Sequence, residues 1–259
     1  MKKLSLSYSL SFSFEKPVVT SHFRFKGIPS TEIEEVVSSS YSILPSSWTA
    51  EDKDVFGNTL IYGSYFGETE SLTLSVDLSV EKREREKRIK TTDPIYLYSS
   101  PSTQTKMGPN LESFYSSLKE RGSETNLERS IYFMDALSSS FIYQKGETKT
   151  DTDAEEAFTI QKGVCQDYSH IMLSLLRREG IPSRYCCGVF LDGKESHAWI
   201  EVLSEGIWIG LDPANSKLID DNYILLAIGQ DSKDTLLNKG IFFGGGRQEM
   251  KMNYRMVEQ

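Results

Sequence analysis

Apolar and polar positions alternate from the start of the chain. Leu4, Leu6, Tyr8, Leu10, Phe12 and Phe14 are separated by Ser5, Ser7, Ser9, Ser11 and Ser13. A period of two predicts a strand with one buried face. Val18 to Phe25 reads as a second strand and Gly57-Asn58 as a turn, and Leu72, Leu74, Val76, Leu78 and Val80 alternate again. Glu81 to Lys90 is a charge run of mixed sign, read as a solvated strand end or hairpin tip. Ser99-Ser100-Pro101-Ser102 is the best linker, so a β-rich, sandwich-like domain is expected over 1–100 and a second domain over 101–259.

Past the linker the period becomes helical. Asn110 to Glu120 predicts one helix, stopped by Gly122. Thr125 and Glu128 form a capping box ahead of Leu127, Ile131, Met134, Leu137 and Phe141. Lys145 to Asp153 reads as a polar loop. A further helix starts near Cys165, runs through Ile171, Met172, Leu175 and Leu176, and stops at Gly180 and Pro182. Three strands follow as one antiparallel meander: Arg184 to Leu191, Ser196 to Leu203 and Ile207 to Leu211. Two Gly-rich or alternating segments close the chain, including Gly244-Gly245-Gly246 and a last strand near Met252 to Val257.

Composition narrows the function classes. The net charge of -8 leaves no basic footprint for nucleic acid. No apolar run reaches membrane-spanning length, and the alternating N-terminus is not the core of a signal peptide, so a cytoplasmic location is expected. Three cysteines, two of them adjacent, make a poor disulfide framework and point to a reducing compartment. They have no zinc-ligand spacing with the three histidines, so neither metal nor cofactor is expected. The oligomeric state is not encoded in these features.

Cys165 is the first candidate for chemistry. Sulfur attacks as thiolate, and a helix start offers partial positive charge and free N–H groups to an anion or oxyanion. Gly163 lets the chain turn tightly beside it. A lone cysteine is more often a packing residue, so its partners decide. On the strands, Ala198, Ile200 and Val202 face one way, and His197, Trp199 and Glu201 the other. Matching Val202 to Ile207, Ile200 to Ile209 and Ala198 to Leu211 sets Trp199 opposite Gly210 and His197 opposite Asp212. Thiol, imidazole and carboxylate then form a nucleophile, a base and an orienting group. Asp167 reads as a helix cap, His170 as structural, Glu201 as a solvated surface residue, and Cys186 and Cys187 as packing. His22 has no evident partner.

Four motifs carry a family resemblance. Gly163-Val164-Cys165-Gln166-Asp167-Tyr168, Gly180-Ile181-Pro182-Ser183-Arg184-Tyr185, Ser196-His197-Ala198-Trp199-Ile200-Glu201 and Leu211-Asp212-Pro213 occur in that order. Together they resemble the bacterial transglutaminase-like superfamily, in its cysteine protease branch. Asp54 to Asn58 adds a looser likeness to the β-domain that precedes this core in bacteria. The resemblance implies an α+β fold with a papain-like core, in which a helix carrying the cysteine packs on an antiparallel sheet. It implies Cys165 as nucleophile, His197 as base and acid, Asp212 as orienting residue, and acyl transfer through a thioester. The substrate would be a peptide or protein, with no membrane partner. Candidates for oxyanion or substrate contacts are Gln161, Tyr143, Gln166 and Trp199, and the second oxyanion donor stays open among them. The chain departs from the animal enzymes, which carry a Trp soon after the cysteine and calcium sites. It also has Gly229-Gln230-Asp231-Ser232 where bacterial relatives carry a GRDY-like segment. Alternatives are a catalytically silent binding module and a different amide hydrolase or acyltransferase on the same core.

Overall fold

The computed structural model describes residues 2–31, 33–82, 87–118, 125–193 and 195–259. In chain order the first strands are β1 (Lys2–Phe25), β2 (Val36–Leu44), β3 (Trp48–Lys53), β4 (Thr59–Lys82) and β5 (Lys87–Arg88). Helices α1 (Ile95–Ser99), α2 (Pro109–Ser117) and α3 (Asn126–Ser140) follow. Next come β6 (Ile142–Tyr143), α4 (Ala154–Ile160), β7 (Lys162–Gly163) and α5 (Cys165–Arg178). The second sheet is then laid down by β8 (Ser183–Phe190), β9 (His197–Ser204), β10 (Ile207–Asp212), β11 (Lys217–Leu218) and β12 (Tyr223–Gly229). The chain closes with β13 (Asn238–Gly244) and β14 (Gln248–Glu258). Gly122 and the middle of the charge run lie outside the described residues.

The first sheet is built on two strands of 24 residues, β1 and β4, paired antiparallel. The opening strand and Val18 to Phe25 are thus one strand, with register shifts between Ser13 and Val18 and between Val18 and Thr20. The early half of β1 pairs with β14 and the late half with β13. On β4 the two halves pair with β3 and β2. The sheet folds over on itself. Phe12 and Phe25 would lie about 43 Å apart along a straight strand, yet their rings meet at 6.3 Å. Its alternating apolar face, from Leu4 to Phe14 and from Leu72 to Val80, lines the enclosed core.

The last two strands correct the expected division. The sequence places 101–259 in one domain, but β13 and β14 return to β1. In the other direction β5, from the first hundred residues, pairs with β10. The first core also takes in Val189, Ile224 and Leu226 of the second sheet. Strand pairing between distant segments leaves no local pattern in a sequence, which is why the return was not visible there.

The second sheet has the order β11-β10-β9-β8-β12. Ala198, Ile200, Val202 and Leu211 pack beneath α5 with Ile171, Met172 and Leu175. The predicted capping box of α3 is complete: Thr125 Oγ1 accepts from the Glu128 N–H at 3.2 Å, and Glu128 Oε2 accepts from the Thr125 N–H at 2.8 Å. Helix α4 was not foreseen. It follows the predicted polar loop, and its N-terminal cap is Asp153, which accepts from the Glu156 N–H at 2.8 Å. Among the described residues no helix is long and apolar enough to cross a membrane.

Candidate active site

Cys165 is the first residue of α5, and its placement follows from its neighbours in sequence. Val164 is the N-cap, and its N–H donates to Asp167 Oδ2 at 2.7 Å. Thr148 donates to the same oxygen at 2.8 Å. A Cβ on residue 163 would lie 2.4 Å from that oxygen, so only glycine leaves room for the cap. Gly163 is therefore required by a close approach, since its backbone is not in the left-handed region. Burial holds the Asp167 carboxyl above its ordinary range, partly offset by the Val164 and Thr148 hydrogen bonds. The helix start so fixed leaves Cys165 partly exposed, with the free N–H groups of a first turn around it.

His197 opens β9, and Asp212 closes β10. Their side chains meet with Nε2 2.7 Å from Oδ2. The register that brings them together differs from the expected one. Ile209 pairs with Val202, Gly210 with Glu201 and Leu211 with Ile200, two residues from the predicted match. The cause is the turn, in which Glu205 at φ 50 and Gly206 at φ 79 form a two-residue connection with both residues left-handed. An even shift preserves the face of every side chain. His197 and Asp212 therefore stay on one side and meet diagonally.

The ring nitrogen bound to Asp212 is Nε2, which leaves Nδ1 for the sulfur. Burial disfavours the charged ring, but hydrogen bonds to Asp212 and Cys165, and the charges of both, outweigh it. The imidazole is pushed up to about 9. Burial also acts against the Asp212 anion. The hydrogen bond and charge of His197, with donors from Asn215 and Tyr223, reverse that and hold the carboxyl below its ordinary value. His197 is 8% exposed and Asp212 0%, so only the sulfur side of the cluster is open to a substrate.

The remaining predicted contacts separate. Tyr143 is half exposed, and its phenol is raised first by burial and then by the nearby Cys165, so it borders the thiol. The Gln166 amide donates to the Thr150 carbonyl at 3.1 Å. The Gln161 amide donates to the Phe158 carbonyl, and its backbone is left-handed at the end of α4. Trp199 is a correction: it is 1% exposed, packs with Tyr223 and Cys186, and its ring lies 6.4 Å from the imidazole, inside the core and away from a substrate. Glu201 is a second correction. It is 2% exposed and paired with Arg184 at 2.6 Å, inside the sheet. His22 has a partner after all, Ser64 Oγ at 2.7 Å.

Other readings keep their structural character. Cys186 is fully buried and Cys187 packs between two cores. His170 is buried, which pushes its imidazole down to about 4, and its Nε2 accepts from the Ser232 N–H at 3.3 Å. In the segment that departs from the GRDY-like pattern, Gln230 donates to the Leu97 and Ser100 carbonyls at 3.0 Å each, tying β12 to α1. Sequence reasoning missed Asn215 and Tyr223, which both donate to Asp212. Asn215 follows Asp212 by three residues in a turn, a recognisable spacing. Tyr223 sits on a strand of hydrophobic residues and gave no signal. An exposed ion pair, Lys145 with Glu195 at 2.7 Å, bridges the loop after Tyr143 and the loop before His197.

A thiol, an imidazole and a buried carboxylate, assembled on a helix start and two strands, define the class of site. The comparisons agree with the fold around it. Residues 116–213 match the model of the transglutaminase-like superfamily, and this segment is a transglutaminase-like domain. A crystal structure of a candidate cysteine protease from Cytophaga hutchinsonii superposes with a TM-score of 0.79 over 99% of this chain and 90% of that one, at 19% identity. The fold is therefore shared along the whole chain, first sheet included. An uncharacterized protein of Mycobacterium leprae is 34% identical over 119 residues, 42% of each chain. One from Mycobacterium tuberculosis is 30% identical over 123 residues, 41% of this chain and 39% of that one. The chain thus spans less than half the length of these curated relatives.

Proposed function

We propose that this protein is a thiol-dependent acyl-transfer enzyme acting on peptide or amide bonds. One observation carries the reading: Cys165 heads α5 beside His197, whose far nitrogen is held by buried Asp212 at 2.7 Å. In the reaction His197 holds the proton given up by the thiol as the sulfur attacks the substrate carbonyl carbon. The oxyanion forms near the first-turn N–H groups of α5, with Tyr143 bordering it. Collapse breaks the carbon–nitrogen bond, and the leaving amine takes the proton from His197. Water then attacks the thioester with His197 as base, and the proton returns to the sulfur.

Water is the favoured acceptor, in line with the bacterial branch the motifs resemble, and an amine in its place would give cross-linking. The three free thiols suit a reducing compartment, which supports a cytoplasmic location. The test is alkylation of Cys165 by iodoacetamide as a function of pH, read by peptide mapping with Cys186 and Cys187 as controls. Reaction well below pH 8, slowed in His197→Ala, is expected. Peptides and amines are then screened for turnover, which Cys165→Ala should abolish with little change in thermal midpoint. A Cys165 no more reactive than an ordinary thiol, or turnover that survives Cys165→Ala, would refute the assignment.

A further inference from the structure

Asp212 is held by more than the imidazole. Its Oδ2 receives three donors: His197 Nε2 at 2.7 Å, Asn215 Nδ2 at 2.7 Å and the Tyr223 hydroxyl at 2.8 Å. The other oxygen takes the Asn215 backbone N–H at 3.2 Å. One carboxylate oxygen is therefore the vertex on which imidazole, amide and phenol converge.

Tyr223 is itself rigidly placed. Its ring stacks on Phe190 at 5.5 Å, meets Trp199 edge-on at 5.4 Å and lies 6.1 Å from the imidazole. Lys217 Nζ sits 4.9 Å from the ring centroid. The residue is 2% exposed and belongs to β12, whose outer side is fastened by Asn58 and Glu34 through hydrogen bonds to Ile228 and Leu225. The donor is thus set by the packed core and cannot be exchanged for solvent.

This rests on the thiol-enzyme reading above. We propose that Tyr223 is a positioning residue, whose hydroxyl fixes Asp212 Oδ2 for His197 and moderates the pull of that carboxylate on the imidazolium. A carboxylate oxygen that accepts from several donors spreads its charge among them. Each donor that shares Oδ2 with His197 therefore weakens its hold on the ring proton. Tyr223 serves as a donor only, because burial and the Asp212 charge keep its phenol far above its ordinary range. The charged and titratable groups around the imidazole are Cys165 from α5, Asp212 from β10 and Tyr223 from β12. Lys217 and Asp220 flank Tyr223, while Tyr143 and the Lys145–Glu195 pair border the sulfur side.

The experiment is an NMR titration of the His197 ring in a Cys165→Ala background, where no thiol competes. The resonance is assigned by its loss in His197→Gln. Adding Tyr223→Phe should raise the midpoint by about half to one pH unit, because one donor to the carboxylate is gone. A titration that stays in place or falls would overturn the proposal. Should that variant not fold, 3-fluorotyrosine placed at position 223 keeps the ring and strengthens the donor. It should move the midpoint down, and an unmoved midpoint again overturns the idea. Failure here differs from failure of the enzyme reading. An inert Cys165 with a shifting His197 titration sinks only the latter, and a reactive Cys165 with an unmoved titration sinks only the former.

Discussion

At the scale of single residues, the site is a charge arrangement that folding stabilises. His197 is raised from an ordinary imidazole value of 6.5 to about 9 in the folded chain. A group raised on folding contributes stability fully below its unfolded pKa and loses it as pH rises through the folded one. The contribution of His197 is therefore present below about pH 6.5 and gone above about pH 9. Asp212 acts in the opposite sense: its lowered carboxyl contributes above the ordinary carboxylate range and loses that as pH falls through its folded value. Calorimetry should show the thermal midpoint falling between pH 6.5 and 9, with a shallower fall in His197→Gln. Equal slopes in the two proteins would mean that the pair carries no such coupling. The identities of these residues were legible in the sequence, because motif order and pleat parity both select them. Their burial was not, and Glu201 shows why. Alternation reports which side of a strand a residue faces, but not whether another layer covers that side, so a carboxylate paired with Arg184 read as a surface group.

At the scale of elements, the entry into α5 joins sequence to chemistry most directly. Gly163, Val164, Cys165 and Asp167 act as a unit: Asp167 caps the Val164 N–H, and glycine clears the space its carboxylate fills. Gly163→Ala should cost about 1–3 kcal/mol by overpacking, read as a lower urea midpoint. The cost should shrink in an Asp167→Gly background, where the opposing carboxylate is gone. An equal cost in both backgrounds would separate glycine from the cap. The hairpin teaches the complementary lesson. A period-two pattern fixes faces strongly but leaves even register shifts open, and the two left-handed residues Glu205 and Gly206 decide among them. The alternation of residues thus gives the right side for His197 and Asp212 with the wrong partners across the ladder, and a diagonal contact replaces a direct one.

At the scale of the whole molecule, the first sheet and the transglutaminase-like core are fastened through β12, the last strand in the order of the second sheet. Asn58 is fully buried, donates to the Ile228 carbonyl at 2.7 Å and accepts from the Ile228 N–H at 2.8 Å, as a neighbouring strand would. Glu34 accepts from the Leu225 N–H at 3.1 Å and pairs with Lys82 at 2.5 Å. Asp54 organises the loop that presents Asn58 and binds Lys26 at 2.5 Å, which accounts for the residues Asp54 to Asn58 as a clamp. Side chains that satisfy an open strand edge protect it from other pairing. They also couple the two units, since Tyr223, next to Asp212, lies on the clamped strand. Asn58→Ala would leave two buried backbone groups of Ile228 without partners, each costing about 1–3 kcal/mol. Because one core and one clamp span both sheets, the loss should be felt by both together. Scanning calorimetry of Asn58→Ala should show a single transition moved to lower temperature, with hydrogen exchange accelerated in β12 and in β1 alike. If the first sheet loosens while exchange in β8, β9 and β12 stays at its original rate, the two units are stabilised separately and the first sheet has no hold on the site.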